Sequence, residues 1–83
     1  GQELLTIHID ASKGDVKKEL LALKSVETVK DVDGKDLWFT VQSKPDTSSR
    51  KEIFDLCVKQ KWYLMEMTGI ETRLEDVFRN LTN

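Results

Sequence analysis

The chain has little of the residues on which the chemistry of most small proteins depends. Its 83 residues include one cysteine, one histidine and one proline. A single cysteine excludes an internal disulfide. One histidine and one cysteine fall short of the three or four nitrogen or sulfur ligands that zinc takes. The sequence therefore predicts neither a disulfide-stabilised fold nor a metal centre. We expect no cofactor within this chain.

An excess of one charge and long apolar runs are also missing. Thirteen basic and fifteen acidic residues give a net charge of -2, and the two signs are interleaved. Nucleic-acid-binding domains usually carry a basic excess, so we expect no nucleic-acid partner. No apolar run approaches the roughly 20 residues of a membrane-spanning helix. The start, Gly1-Gln2-Glu3, lacks the basic and apolar parts of a signal peptide. We expect no direct insertion into a membrane.

What is present is the pattern of one small folded domain. Apolar residues make up 39% of the chain and charged residues 34%, which fits an ordinary globular domain. Alternating residues predict strands over 3–10, 26–33, 36–43 and 62–68, with Gly69 ending the last of them. Helical spacing predicts helices over 15–24 and 49–61. The order β-α-β-β-α-β, followed by a final helix, is typical of a ferredoxin-like α+β sandwich with a four-stranded antiparallel sheet.

Local signals predict how these elements begin and turn. Ser12 or Asp15 caps the first helix, and Ser49 with Glu52 forms a capping box for the second. Asp33-Gly34 predicts a two-residue hairpin turn with positive φ at both positions. The second strand does not keep one parity, which indicates a bulge. The predicted core consists of Leu5, Ile7, Ile9, Val16, Leu20, Leu23, Leu37, Phe39, Val41, Phe54, Cys57, Val58 and Met65.

The cysteine, the histidine and the two tryptophans are each better explained by a structural role than by a chemical one. We interpret Cys57 as a buried thiol, His8 as a residue of a sheet face and Trp62 as a packing residue. Trp38 has two interpretations: a platform for a ligand or partner, or a cross-strand pair or floor beneath the last helix, and the second is favoured. No nucleophile set and no phosphate-binding Gly-x-x-x-x-Gly-Lys-Ser/Thr loop is present. We therefore expect no catalysis by this chain.

The last dozen residues form the most informative segment. Thr72 and Glu75 make a capping box, which predicts that a helix begins there. Leu74, Val77, Phe78 and Leu81 follow at i, i+3, i+4 and i+7, and therefore form one apolar stripe. The sequence predicts a short amphipathic helix. Either the stripe packs on its own domain, or it faces a partner.

The amino-acid sequence of this segment resembles a known C-terminal motif. Leu74-Glu75-Asp76-Val77-Phe78, closed by Leu81-Thr82, is similar to the LEDVF-x-x-LT ending of ATP-binding subunits of bacterial ABC transporters. The subunits of the ABC-2 export class, including the gliding-motility type, are the most similar. The element order over residues 3–82 also resembles their C-terminal accessory domain. The resemblance implies that residues 1–83 are a single accessory domain from the C-terminus of a longer ATPase subunit. Gly1, in place of Met, is then interpreted as a remnant of tag removal.

The resemblance also implies a function and partners. The domain is expected to be a non-catalytic regulatory or interaction domain that couples the ATPase to its dimer mate or to the membrane permease. ATP and Mg²⁺ are expected in the parent chain, and the location is cytoplasmic, peripheral to the inner membrane through the transporter. The expected partners are the ATPase domain of the same or a second subunit and the permease. The candidate interaction residues are Leu74, Glu75, Asp76, Val77, Phe78 and Leu81.

Two other classes share the element order. A sensor domain of the ACT type binds small molecules through a Gly-rich loop after the first strand, which here is Asp10-Ala-Ser-Lys-Gly14 with a single glycine. An acylphosphatase-like enzyme needs an arginine in the same loop and an asparagine later in the chain, and this loop contains no arginine. The sensor is therefore the alternative to the transporter domain.

Overall fold

The computed structural model describes residues 1–70 of the chain. Its elements are β1 (Leu4–Asp10), α1 (Val16–Leu21), β2 (Val26–Asp31), β3 (Trp38–Ser43), α2 (Arg50–Gln60) and β4 (Tyr63–Ile70). This order confirms the prediction as far as the fourth strand. The predicted final helix lies outside the described residues.

The four strands form one antiparallel sheet in the order β2-β3-β1-β4. Because β1 and β2 flank β3, the chain crosses over through α1 before it returns along β3. The second crossover, through α2, carries it from β3 to the far side of β1. The result is a four-stranded α+β domain of the ferredoxin-like type, and the predicted fold class is confirmed.

Strand β1 is the centre of the core. Leu5, Ile7 and Ile9 alternate along it and are fully buried. The same cluster includes Val16 and Leu20 from α1 and further side chains from α2, so both helices pack on this face of β1. On β3, Phe39 pairs with Ile7 and Val41 pairs with Leu5, so both lie on the same face of the sheet and extend the core.

The inward face of α2 differs from the prediction. Ile53, Leu56 and Cys57 point into the core, whereas Phe54 and Val58 are 56% and 62% exposed. Assigning Phe54 and Val58 to the core was therefore wrong. Ile53, Leu56 and Cys57 have helical i, i+3, i+4 spacing, and so do Phe54, Cys57 and Val58, so the sequence allows either face. The fully buried Ser49 just before the helix and the buried Trp62 just after it fix the rotation that turns Ile53 inward.

A bulge decides which residues of β4 face the core. Ile9 pairs with Leu64 and His8 with Glu66, so Met65 is an extra residue on β4. It is 58% exposed, and assigning it to the core was wrong. The strand also continues through Gly69 to Ile70 instead of ending at Gly69.

The second strand has the bulge that its mixed parity predicts. The register shifts between Val26 and Thr28, and this shift allows both Val26 and Val29 to be buried. The core prediction missed both valines because it did not assign the bulged strand a face.

The connection between β2 and β3 is longer than the predicted two-residue hairpin. Only Gly34 has a positive φ (76°), so the prediction of positive φ at Asp33 as well was wrong. The N–H of Lys35 donates to the carbonyl of Val32 at 3.2 Å, which closes one turn. A second turn follows, with Leu37 at φ 59°, and β3 begins after it. Leu37 is consequently half-buried at the edge of the core.

The loop before α1 is closed by a tryptophan. Trp62 is buried, as its packing role predicted, and its indole Nε1 donates to the carbonyl of Lys13 at 2.8 Å. Gly14 has φ 98°, and a Cβ placed on it would lie 2.9 Å from Cζ2 of Trp62. Asp15 then caps α1, as predicted, because its carboxylate accepts from the N–H of Lys18.

Two glycines allow a matched test of this loop. Gly14→Ala combines an unfavourable positive φ with the contact to Trp62, whereas Gly34→Ala, at φ 76°, meets nothing within 4 Å. We expect Gly34→Ala to lower the free energy of unfolding by about 1 kcal/mol, and Gly14→Ala to lower it by about 2–3 kcal/mol. Urea denaturation measures both. Equal losses would mean that the Trp62 contact contributes nothing.

Candidate functional site

The densest polar cluster lies where α2 begins. One half of it is centred on the carboxylate of Glu3, just before β1. Its Oε1 accepts from the hydroxyl of Ser43 and from the backbone N–H of Ser49, both at 3.0 Å. Its Oε2 accepts from the hydroxyl of Ser48 at 3.0 Å and from Nε of Arg50 at 3.3 Å. One side chain thus joins β1 to the end of β3 and the start of α2.

The other half of the cluster joins α2 to the start of β2. Oε1 of Glu52 accepts from the backbone N–H of Ser25 at 2.9 Å and from its hydroxyl. The hydroxyl of Ser49 donates to the carbonyl of Ser25 at 3.1 Å and lies 2.7 Å from the hydroxyl of Ser43. The predicted capping box of Ser49 and Glu52 is therefore wrong: Ser49 makes no side-chain cap. Both side chains bind distant residues instead of each other's backbone.

The electrostatics of the cluster suit a structural role. We call the cluster, which consists of Glu3, Ser25, Ser43, Ser49 and Glu52, the polar clamp. Burial alone would raise the pKa of Glu3, but the donors at Ser49, Ser43, Ser48 and Arg50 together outweigh it and hold the pKa below its ordinary value. Hydrogen bonds from Ser25 likewise lower the pKa of Glu52. Both carboxylates are therefore anionic acceptors near neutral pH, with their lone pairs directed at fixed donors.

The cluster offers no evident catalytic chemistry. Ser43 and Ser49 are fully buried and hydrogen-bonded to one another, so neither hydroxyl is presented to solvent. Within residues 1–70, no buried side-chain nitrogen or oxygen lacks a hydrogen-bond partner. The same residues contain no group of three histidine, cysteine or acidic side chains that could hold a metal ion.

Cys57 lies in the core, as predicted. Its side chain is 2% exposed, and burial raises the pKa of the thiol. A thiol is nucleophilic as its thiolate, so both properties oppose reactivity. This places Cys57 among the packing residues of α2.

The sheet face opposite the α2 core carries an aromatic pair. His8 and Trp38 are direct cross-strand partners, and their rings stack with centroids 4.6 Å apart at an angle of 8°. The ammonium group of Lys35 lies 4.5 Å from the centre of the Trp38 ring. The cross-strand pair favoured for Trp38 is confirmed, as is the sheet-face position of His8. Any contact of this face with the predicted final helix lies outside the described residues.

The neighbours of that pair are mostly polar. Thr6 pairs with Thr40 on one side and with Thr68 on the other, so three threonines run across the same face of the sheet. Hydroxyl-bearing β-branched side chains suit a strand surface in contact with water. Beyond the threonines, Leu4 pairs with Ile70 at one end of the face, and Tyr63 pairs with Asp10 at the other. Ile70 and Tyr63 are exposed, so the row of threonines divides the apolar surface of this face.

Two large exposed apolar side chains, Phe54 and Val58, lie on the β4 side of α2. The guanidinium of Arg50 lies against Gly69: its Nη2 is 2.8 Å from the position of a Cβ on that glycine. Phe54 and Val58 follow at i+4 and i+8 from Arg50, so they continue the same side of the helix. On β4, the half-buried Met67 pairs with Ile7 and shares its face. We call Phe54, Val58 and Met67 the α2–β4 flank.

The other side of α2 borders a shallow depression. It has a volume of about 250 Å³ and is lined by Leu23, Glu52, Asp55, Leu56 and Lys59. Apolar carbon and charges of both signs meet there. Glu52 is already bound to Ser25, so among the residues that the structure describes Asp55 and Lys59 are the charged groups of the depression that could meet a ligand.

The loop considered for a sensor is occupied by protein. Trp62 stands over Gly14 and binds the carbonyl of Lys13, so the space above that glycine holds an indole ring. This loop is therefore closed in the structure.

The candidate interaction residues chosen from the sequence, Leu74, Glu75, Asp76, Val77, Phe78 and Leu81, lie outside the described residues. The flank was missed because Phe54 and Val58 were assigned to the core. The signal was present, since α2 has apolar residues at more positions than one buried stripe can hold.

Comparisons with known proteins add no relative. Protein-family models, curated proteins and solved structures yield no match to this chain. The helices within residues 1–70 are each too short or too polar to span a membrane.

The clamp predicts a dependence of stability on pH. The pKa values of Glu3 and Glu52 are lowered by folding, so their stabilisation is complete above the ordinary value of 4.5 and is lost as pH falls through the lower folded-state pKa. We expect Glu3→Gln to cost about 1–2 kcal/mol at pH 7 and to flatten the loss of stability between roughly pH 5 and pH 2.

Glu27→Gln is the matched control, because Glu27 is an exposed glutamate on β2. Urea denaturation at several pH values makes the comparison. If Glu3→Gln and Glu27→Gln lower stability equally, or if the pH dependence is unchanged in Glu3→Gln, the clamp does not hold the fold as described.

Proposed function

We propose that this chain is a non-catalytic interaction domain, and that it belongs to the C-terminus of an ATP-binding subunit of an ABC-2-type transporter, of the kind that includes gliding-motility systems. Its task is to couple the ATPase to a dimer mate or to the membrane permease. The transporter assignment rests on the resemblance of residues 74–82 to the ending of those subunits. The interaction role rests on the surface of α2.

The α2–β4 flank is the observation that supports an interaction role. Phe54 and Val58 are more than half exposed on α2, the longer of the two helices within residues 1–70, and lie one turn apart. Exposed large apolar side chains that adjoin each other are typical of binding surfaces, and aromatic residues contribute heavily to binding energy. The flank thus supplies an apolar surface for a partner element.

The polar residues support a non-catalytic role. Glu3, Glu52, Ser43 and Ser49 bind one another and hold the ends of the secondary elements together. Cys57 is buried, and His8 is stacked on Trp38. The groups that most often do chemistry are therefore committed to the fold.

The coding sequence upstream of Gly1 tests the transporter assignment. We expect a Gly-x-x-x-x-Gly-Lys-Ser/Thr loop and an ABC signature motif there, because nucleotide binding must come from the rest of the subunit. If the upstream sequence encodes neither, the assignment to an ABC transporter fails.

A paired substitution tests the interaction role. In the parent subunit, Phe54→Ser with Val58→Ser removes the apolar part of the flank while leaving the core residues Ile53, Leu56 and Cys57 in place. Two hot-spot truncations cost upward of about 1 kcal/mol each. We therefore expect the affinity for the isolated ATPase domain or the permease to fall at least about tenfold.

Asp55→Ser with Lys59→Ser is the matched control, because these exposed residues are also one turn apart on α2 but border the depression on its other side. We expect this control to retain affinity within about twofold, since exposed charges contribute little. Equal affinities for the Phe54→Ser/Val58→Ser variant and the unaltered subunit would refute the role of the flank.

The alternative is a small-molecule sensor domain of the ACT type. The depression beside Asp55 and Lys59 favours it, because charges of both signs beside leucines suit a zwitterionic ligand. Thermal unfolding in the presence of amino acids and nucleotides distinguishes the two functions. A rise of several degrees with one compound, abolished by Asp55→Ser with Lys59→Ser, would favour the sensor.

A further inference from the structure

The position at which the described chain ends bears on what covers the α2–β4 flank. Strand β4 ends at Ile70, and the neighbouring Gly69 lies against Arg50 in the first turn of α2. The chain therefore leaves the sheet beside the N-terminal end of α2. Ile70, the last described residue, therefore lies at one end of the flank.

We propose that residues 71–83 bind to the α2–β4 flank of their own chain. As a helix parallel to α2, they bring Leu74 and Phe78 beside Phe54 and place Leu81 at Val58. The inference deepens the proposed function, because it names the first element that the flank binds. The docked segment then presents its other side, Glu75, Asp76 and Arg79, to the partner.

The lengths of the two elements agree. Residues 72–82 span about 16 Å as a helix, and the eleven residues of α2 span the same length. Phe54 lies about 6 Å and Val58 about 12 Å along α2 from Arg50, at 1.5 Å per residue. The stripe from Leu74 to Leu81 covers this interval.

Charge favours the same direction. Lys51 and Arg50, the latter also paired with Glu3 at 3.3 Å, are exposed at the start of α2, next to the point where the chain leaves β4. In the first half of the segment, the acidic residues Glu71, Glu75 and Asp76 outnumber the single basic residue, Arg73. A parallel arrangement therefore brings basic and acidic residues to the same end. An antiparallel one would move the acidic residues away from Arg50.

The other large surface suits the stripe less well. The sheet face that carries Trp38 and His8 also has apolar residues, but a row of threonines, Thr6, Thr40 and Thr68, separates Leu4 and Ile70 at one end from Trp38 and Tyr63 toward the other. An apolar stripe placed there would bury hydroxyl groups and leave Phe54 and Val58 in water. Burial of apolar against apolar surface is the more favourable choice.

A thermodynamic cycle in the isolated chain tests the docking. It combines Phe54→Ser/Val58→Ser with truncation after Glu71 and measures Tm for all four chains. In residues 1–83, we expect the paired substitution to lower Tm by about 5 °C or more. In residues 1–71 it should change Tm by less than about 2 °C, because the flank is then exposed in any case. Asp55→Ser/Lys59→Ser should change Tm equally in both lengths.

Equal shifts from Phe54→Ser/Val58→Ser in both lengths would overturn the docking. The proposed function would stand in that case, since a partner protein could still bind the open flank. Conversely, Phe54→Ser/Val58→Ser could lower Tm clearly more in residues 1–83 than in residues 1–71 and yet leave the affinity for the partner unaltered. That result would support the docking and refute the proposed function. The two failures are therefore distinguishable.

A direct measurement on the full chain covers the case in which residues 1–71 do not fold. In a NOESY spectrum of the 83-residue monomer, we expect cross-peaks between the Val58 methyl groups and the side chains of Phe78 and Leu81. Cross-peaks from these residues to Trp38 instead, or to neither site, would overturn the inference. So would cross-peaks that arise only in a dimer, because the segment would then bind a second copy.

Discussion

The alternation of β1 is the constraint on which the rest of the domain depends. Leu5, Ile7 and Ile9 are fully buried on one face, and the strand is paired on both sides, with β3 and β4. Both helices pack on that face. A shift of β1 by one residue would turn every one of these side chains to the opposite face and leave the helices on polar residues. The faces of the remaining strands are set by their pairing in this sheet, and the bulges on β2 and β4 are the places where the alternation is interrupted.

The strands and helix caps could be predicted from the sequence, because the patterns that specify them are local. The period of two in β1, the cap at Asp15 and the mixed parity of β2 each lie within a few residues, and the structure has all three features. The antiparallel sheet and its two helices were predictable from the order of such signals. The long connection between β2 and β3 was not, since Asp33-Gly34 is compatible with more than one turn.

The polar clamp shows what local patterns do not contain. Glu3 binds the N–H of Ser49 across 46 residues, and Glu52 binds Ser25 across 27. Ser49 and Glu52 have the spacing of a capping box, yet both bind elsewhere because the folded chain brings other partners within reach. The rotation of α2 has the same origin. The buried residues at its two ends, Ser49 and Trp62, determine which of its two apolar sides faces the core. The sequence of the helix alone does not determine this. The exposed flank, which is the candidate interaction surface, follows from that choice.

The interaction role therefore rests on which side of α2 is presented to partners. A photo-crosslinking amino acid at Lys51, which lies on α2 beside the flank, and another at Thr40, on the opposite sheet face, compare the two sides in the parent subunit assembled with its permease. The account predicts crosslinks from position 51 to the ATPase domain or the permease, and none from position 40. Crosslinks from position 40 alone, or from neither position, would contradict it.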